Sequence, residues 1–357
     1  MSNIKNWFDK NSFNALRLSV AIAIALAIST AIVFLVSETP VEALSALFTG
    51  PLGSKRHFFN VLEMATPLAF TGFALSLIYQ SGNFSMIADG SLYLGAVVAS
   101  VIAIKLPLPA GIHPIVAIAV AAVVGGLIGA IPALLKVKYK SNELVTSLML
   151  NYVCFYSGLY VVNRFIIDRQ AGNFASLKFE KTASLGKIVE GTRLHWGFVL
   201  MLIVGILLYI FVYKTKWGYE IRLVGSNLEF AKHTGINTAK VIIMTQMLAG
   251  AIAGMGGASE KLGMYTRFGW ADAPTYAWDG VIIAILAGNN PKFVPFAAFF
   301  LAYIRVGADI MSRKSDVPNE LIAIIQGIII LLITAERFLY VVKQRQESKK
   351  ALENYSS

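Results

Sequence analysis

The sequence predicts an all-α, polytopic membrane protein with about ten transmembrane helices. Three observations predict it. Of 357 residues, 56% are hydrophobic and 14% are charged, and mean hydropathy is +0.65, whereas a soluble domain carries about 25% charged residues. Several apolar runs reach the ~18 residues that cross a bilayer as a helix. Lys and Arg cluster in short loops between these runs, as they do on the cytoplasmic side of membranes. Backbone groups in hydrocarbon must be satisfied within their own segment, so the runs are read as helices.

The candidate spans are 16–36, 60–79, 91–104, 114–135, 144–162, 196–213, 240–258, 277–287, 293–310 and 319–335. Residues 1–15 form a cytoplasmic interfacial segment, in which Trp7 and Phe8 lie beside Lys5 and Lys10. The first run is too long for a signal h-region and lacks a small-x-small exit, so it is read as a retained span. Glu63 sits near the outer end of the second span and is read as interfacial, the alternative being the mouth of a cavity. Lys136, Lys138 and Lys140 follow the fourth span. Lys214, Lys216, Arg222, Lys232 and Lys240 mark the segment 214–240 after the sixth, and Arg337, Lys343, Arg345, Lys349 and Lys350 lie in a tail, 337–357. All fall on one side when both termini are cytoplasmic. Residues 163–195 are then a long extracytoplasmic loop, and 16–336 are the transmembrane domain.

The spans 91–104 and 277–287 are short, and each follows an Asp-Gly pair, Asp89-Gly90 and Asp279-Gly280. They occupy matching places in two sets of five spans, which admits a five-plus-five inverted repeat. Short segments at corresponding positions of such repeats mark substrate paths. The alternative, compatible with the first, is that each Asp caps a helix N-terminus. Gly125 with Gly129, and Gly250 with Gly254, have the small-xxx-small spacing of packed membrane helices.

Polar side chains in the span 144–162 form a stripe. Glu143, Ser147, Asn151, Cys154 and Gly158 recur at helical spacing on one face. A polar face at membrane depth lines a pathway or makes interhelical hydrogen bonds. Gln246 and Gln326 are single amides on apolar helices, read as packing contacts.

Several chemistries are excluded. One cysteine, Cys154, permits no internal disulfide and no Cys-based metal site. The four histidines have no metal-ligand spacing. No P-loop, H-E-x-x-H or G-x-S-x-G occurs. The net charge of +11 lacks the aromatic interleaving of a nucleic-acid surface and suits anionic lipid. The chain therefore reads as a transporter or channel component without catalytic apparatus. Its carboxylates Glu63, Asp89, Glu143, Asp279 and Glu320 stand at span ends, which disfavours an ion-coupled secondary carrier.

The segment 214–240 is basic, yet reads as a short helix framed by Gly225 and Gly235. Within it, GYEIRLVGSNLEFAKHTGIN resembles the G-x-x-x-R-x-x-G-x-N-x-x-x-A-x-x-x-G-I segment of ABC importer permeases that serve branched-chain amino acids, ribose-type sugars and nucleosides. The match falls on Gly218, Arg222, Gly225, Asn227, Ala231, Gly235 and Ile236. SNELVTSLMLNYV (Ser141–Val153), WDGVIIAILAGNNP (Trp278–Pro291) and VPNELIAIIQGIIIL (Val317–Leu331) are similar to three further motifs of that family. One stretch departs, since Ala88-Asp89-Gly90-Ser91 stands where members often have x-E-G-Q.

The resemblance covers roughly residues 60–335 and is nearest to the larger nucleoside-type subunit. It implies that the seven matched residues couple to an ATPase. The polar stripe and the two Asp-Gly segments, read from their spacing and position, make Asn151, Ser147, Glu143, Asp89, Gly90, Asp279 and Gly280 the candidates for a translocation path. The implied partners are a second permease subunit, a cytoplasmic ATPase that uses ATP and Mg, and an extracytoplasmic binding lipoprotein, all at a bacterial cell membrane. No cofactor is implied for this chain itself. A ribose-type sugar or riboflavin is the alternative substrate.

Overall fold

A computed structural model describes residues 38–315 without a break, together with the single positions 30, 34, 324, 327 and 328. The predicted spans 16–36 and 319–335, and both terminal segments, otherwise lie outside the described residues. Among the described residues the fold is all-α, with two isolated β-bridges and no strand. Seven helices are long and apolar enough to cross a membrane, and an eighth, Tyr276–Leu286, is apolar but shorter. All eight predicted spans that fall in this region are helices, but the span 91–104 is not short as expected: its helix, Ala88–Lys105, runs 18 residues because it starts at Ala88, ahead of the Asp-Gly pair, and only Tyr276–Leu286 is short.

The chain divides into two compact units. The smaller combines described residues of 1–57 and 303–357. It contains α1 (Pro40–Phe48), which starts on a proline at its first helical position, a place where no amide donor is lost. There the Tyr303 hydroxyl donates to the Phe48 carbonyl, and a side chain at Gly307 would collide with the Leu47 carbonyl.

The larger unit, residues 58–302, holds α3 (Ala88–Lys105), α4 (Ile112–Tyr139), α5 (Glu143–Val161), α6 (Gly197–Lys214), α7 (Lys216–Ser226), α8 (Leu228–His233), α9 (Thr238–Met264) and α10 (Tyr276–Leu286). It also takes in most of α2 (Lys55–Gln80) and the start of α11 (Val294–Lys314). Its centre is the trio α3, α4 and α9. Between membrane helices there is no hydrophobic drive, so close backbone approach supplies the attraction. The predicted glycines provide it. A Cβ at Gly125 would run into the Gly250 carbonyl, one at Gly129 into the Gln246 carbonyl, and one at Gly254 into the Ala121 carbonyl. Gly95 of α3 meets Gly254, and Gly257 meets the Leu92 carbonyl.

At helix starts, side chains replace the missing backbone acceptors. Asn142 caps α5 by accepting from the Leu144 and Val145 N–H groups, and Asn227 caps α8 by accepting from Phe230 N–H at 2.9 Å. The loop 163–195 is neither strand nor long helix. It packs along the end of α9 through Leu185 N–H to Leu262 C=O (2.9 Å) and Phe179 N–H to Thr266 C=O (2.9 Å). Arg267 and Asp168 pair across it at 2.6 Å. The Gln170 N–H and the Arg267 guanidinium hold the Asp168 carboxyl below the usual carboxylate range.

Candidate functional site

The polar stripe of α5 is the buried face of that helix. Glu143, Ser147, Cys154 and Gly158 are its buried residues, while Val145, Met149, Tyr152, Tyr156 and Tyr160 are more than half exposed. The stripe faces the irregular segment Ser81–Ile87, which joins α2 to α3. Phe84 N–H donates to Glu143 Oε1 at 2.6 Å, Met86 N–H to Ser147 Oγ at 2.9 Å, and Gly90 N–H to Asn151 Oδ1 at 3.0 Å. Asn151 Nδ2 returns a bond to the Met86 carbonyl at 2.8 Å.

These rungs fit because two periods nearly agree. Alternate residues of an extended chain lie about 6.6 Å apart, and one helical step of four residues rises about 6 Å. Residues 84 and 86 therefore keep step with residues 143 and 147. Non-helical backbone at membrane depth is tolerated where protein satisfies it, and α5 supplies that satisfaction.

Glu143 is the most crowded rung. Besides Phe84 it takes Lys136 Nζ on Oε1 at 2.9 Å and Gln246 Nε2 on Oε2 at 2.9 Å. Lys136 Nζ also donates to Asn83 Oδ1 at 2.6 Å. One carboxylate thus ties α4, α5, α9 and the 81–87 segment, and Gln246, read as a packing contact, has a specific acceptor.

The two Asp-Gly pairs meet. Asp89, in the first turn of α3, accepts the Ala277 N–H from the first turn of α10 at 2.7 Å. The cap therefore runs from the first turn of α3 to the N-terminus of the short helix α10. Two residues on, Asp279 is buried at 5% exposure. Gly90 lies against the Asn151 amide, and a Cβ at Gly280 would meet Thr71 of α2 at 2.9 Å. Asn151 stands eight residues from Glu143, about 12 Å along the helix, so α3 and α10 start about that far along α5 from its first rung.

The basic segment folds as two helices, α7 and α8, where one was expected. Gly225 lies inside α7 and does not frame it. A Cβ there would overlap the Gln80 carbonyl and come within 2.9 Å of Gly82 N. Gly218 presses equally on the Phe211 and Val212 carbonyls. Gly235 does take the left-handed turn that ends α8, with φ +81°. Ala231 is fully buried, and its carbonyl accepts Ile236 N–H at 3.2 Å. Arg222 lies over the Tyr213 ring at 4.9 Å. The outer surface presents Ser226, Asn227, Leu228, Glu229 and Phe230, with Leu228 and Phe230 exposed to 40% and 52%.

A second group escaped the sequence reading. Glu63, expected at the interface, is 3% exposed. Glu260 and Lys261, just beyond the predicted end of the seventh span, are 1% exposed. Tyr276 donates to Glu260 Oε1 at 2.9 Å. Lys261 Nζ sits 3.4 Å from the Trp270 ring centroid and 4.1 Å from that of Tyr265. A desolvated cation on aromatic faces is worth about 2 kcal/mol, which offsets part of the cost of burial. The adjacent charged letters end the apolar run in sequence, and only the rings, which arrive from the following loop, show why the helix continues. Among the described residues no group of His, Cys, Asp and Glu is arranged to hold a metal.

Comparison with known proteins identifies what this architecture belongs to. The family of branched-chain amino acid transport system permease components matches residues 57–334. A guanosine ABC transporter permease of Bacillus subtilis is 29% identical over 335 residues, covering 93% of this chain and 96% of its own. A glucose ABC transporter permease of Haloferax volcanii is 33% identical, covering 88% and 86%. A nucleoside ABC transporter permease of Lactococcus lactis is 24% identical, covering 94% of each. The chain belongs to this permease family and is a multi-span, non-catalytic membrane subunit of an ABC importer.

Proposed function

We propose that the chain is the larger permease subunit of a nucleoside importer, driven by a separate ATPase that docks on 214–240. The observation that carries the docking is the build of α7 and α8. Gly218, Gly225 and Ala231 seat the pair on the rest of the molecule, Asn227 and Gly235 fix its turns, and Leu228 and Phe230 project outward. An apolar tip on a folded basic segment suits a protein groove. A loop held only by lipid headgroups needs neither the tight glycine seats nor the caps.

The guanosine and nucleoside relatives support the substrate class, and their matches run nearly the full length of both chains. A sugar is the second reading, favoured by the 33% identity to the glucose permease. In either case the path is formed where α3 and α10 begin, at Asp89, Gly90, Asp279 and Gly280. The rungs Glu143, Ser147 and Asn151 shape it from one side.

The exposed faces support a second permease subunit against α5. The exposed large side chains of α6 include Leu202, Ile203, Ile206, Leu207 and Ile210, and those of α4 include Val123, Leu127, Ile131 and Leu134. These suit lipid tails. The α5 face carries Tyr152, Tyr156 and Tyr160, each at least 65% exposed, and a phenol in hydrocarbon lacks a partner for its hydroxyl. On this reading both termini and 214–240 are cytoplasmic, and the loop 163–195 meets a binding lipoprotein. ATP and Mg are handled by the ATPase.

Competition tests the substrate. ATP-driven uptake of radiolabelled guanosine by the assembled complex is expected to be blocked by excess unlabelled nucleosides and unaffected by glucose or ribose. Block by a sugar alone shifts the assignment to the second reading.

A further inference from the structure

We propose that the segment Ser81–Ile87, splinted by α5, is the link through which the 214–240 helices move the N-termini of α3 and α10. The inference rests on the docking reading of 214–240 and goes beyond it, because it names the element that carries the motion and the side chains that stiffen it.

The geometry is a closed loop of connections. Gly225 of α7 has no space for a Cβ because it sits against Gln80 and Gly82. From that point one branch runs along residues 81–87 to α3, whose Asp89 caps α10 at Ala277. The other branch is a hydrogen bond from Gln80 Nε2 to the Asn289 carbonyl, in the turn that ends α10. Asn289 holds that turn in a left-handed conformation, φ +56°. Both ends of α10 and the start of α3 are therefore tied to the residues on which α7 rests.

An extended chain alone is a slack tether, since each residue keeps two soft dihedral angles. The rungs Glu143, Ser147 and Asn151 remove that slack by pinning residues 84, 86 and 90 to a rigid helix. Gly82, with φ +70° and its own close approach to Gly225, is the bend at which the tether leaves α2. A displacement of α7 is then passed to α3 and α10 as a movement of one body. With the rungs cut, the ATPase still docks and cycles but α3 and α10 no longer follow.

The test uses the assembled permease–ATPase complex with Cys154, the chain's single and buried cysteine, replaced by Ala. A reporter cysteine is placed by Trp278→Cys in the first turn of α10, where Trp278 is 56% exposed. Its alkylation rate is measured before and after trapping with ATP and vanadate. With intact rungs, trapping is expected to change the rate severalfold. Ser147→Ala with Asn151→Ala is expected to abolish that change while the ATPase still co-purifies and still traps nucleotide. Ser147→Thr, which keeps the hydroxyl, is expected to retain the response. If the double variant does not assemble, Ser147→Ala against Ser147→Thr gives the same comparison.

A full response in the rung-cut variants, or no response with intact rungs in a trapped complex, overturns the link. Retained co-purification and trapping in Ala231→Arg overturns the docking reading instead, so the two failures are distinguishable.

Discussion

At the residue scale, buried polar groups carry most of the information. Glu143 shows why. It is 8% exposed and accepts from a backbone amide, a lysine and a glutamine contributed by three different elements. Removing such an acceptor leaves several donors unsatisfied, each costing about 1–3 kcal/mol when buried. Glu143→Leu is therefore expected to lower the melting temperature of the detergent-solubilised permease by several degrees, with Glu143→Gln intermediate. An unchanged melting temperature in Glu143→Leu would contradict the network.

His195 offers a pH test outside the spans. It is fully buried, and its Nδ1 accepts Gly197 N–H at 3.1 Å. Burial pushes its pKa from 6.5 down to about 4. Because the unfolded chain binds the proton more tightly, stability is unaffected above about pH 6.5 and falls as pH drops from there toward 4. His195→Gln is expected to remove this part of the acid sensitivity, seen as a flatter dependence of melting temperature on pH across that window. An unaltered slope would place the sensitivity elsewhere.

At the element scale, the apolar runs were legible. The short span 277–287 and the α5 stripe were also visible as patterns, because helical spacing and length are properties of the letters themselves, whereas the span 91–104 read as short because the Ala88–Gly90 start of its helix fell outside the apolar run. The partner of the stripe was not visible. Residues 81–87 have no period, and their pairing with α5 depends on the near agreement of an extended and a helical rise, which appears only when the two run side by side. The 214–240 segment divided similarly. Its glycines were read as framing one helix, and Gly225 reads as a helix end until the Gln80 carbonyl is seen against it. Lys261 lay beyond the predicted span because its ring partners lie downstream in a loop.

The same element carries a prediction. Ala231 has no exposed surface, so Ala231→Arg must displace α8. Gly225→Trp must displace α7 from Gln80. Each is expected to reduce ATPase co-purification and uptake by at least about tenfold while the permease still inserts, a loss equivalent to ~1.4 kcal/mol or more of coupling. Normal uptake in both variants would contradict a docking role for these helices.

At the scale of the whole molecule, a glycine-seated trio of helices, α3, α4 and α9, holds the short helix α10, whose N-terminus is capped by Asp89 of α3. The sequence placed the two Asp-Gly pairs at matching positions of two sets of spans without bringing them into contact, and the structure joins their helices through Asp89 and Ala277. The family relationship then assigns the chain to ATP-driven import. The most direct measurement is radiolabelled guanosine uptake into vesicles holding the complete complex, with ATP inside the lumen that represents the cytoplasm and ion gradients collapsed by ionophores. The account predicts uptake that persists without any gradient and stops when ATP is withheld. Uptake that continues without ATP and disappears with the gradient would contradict it.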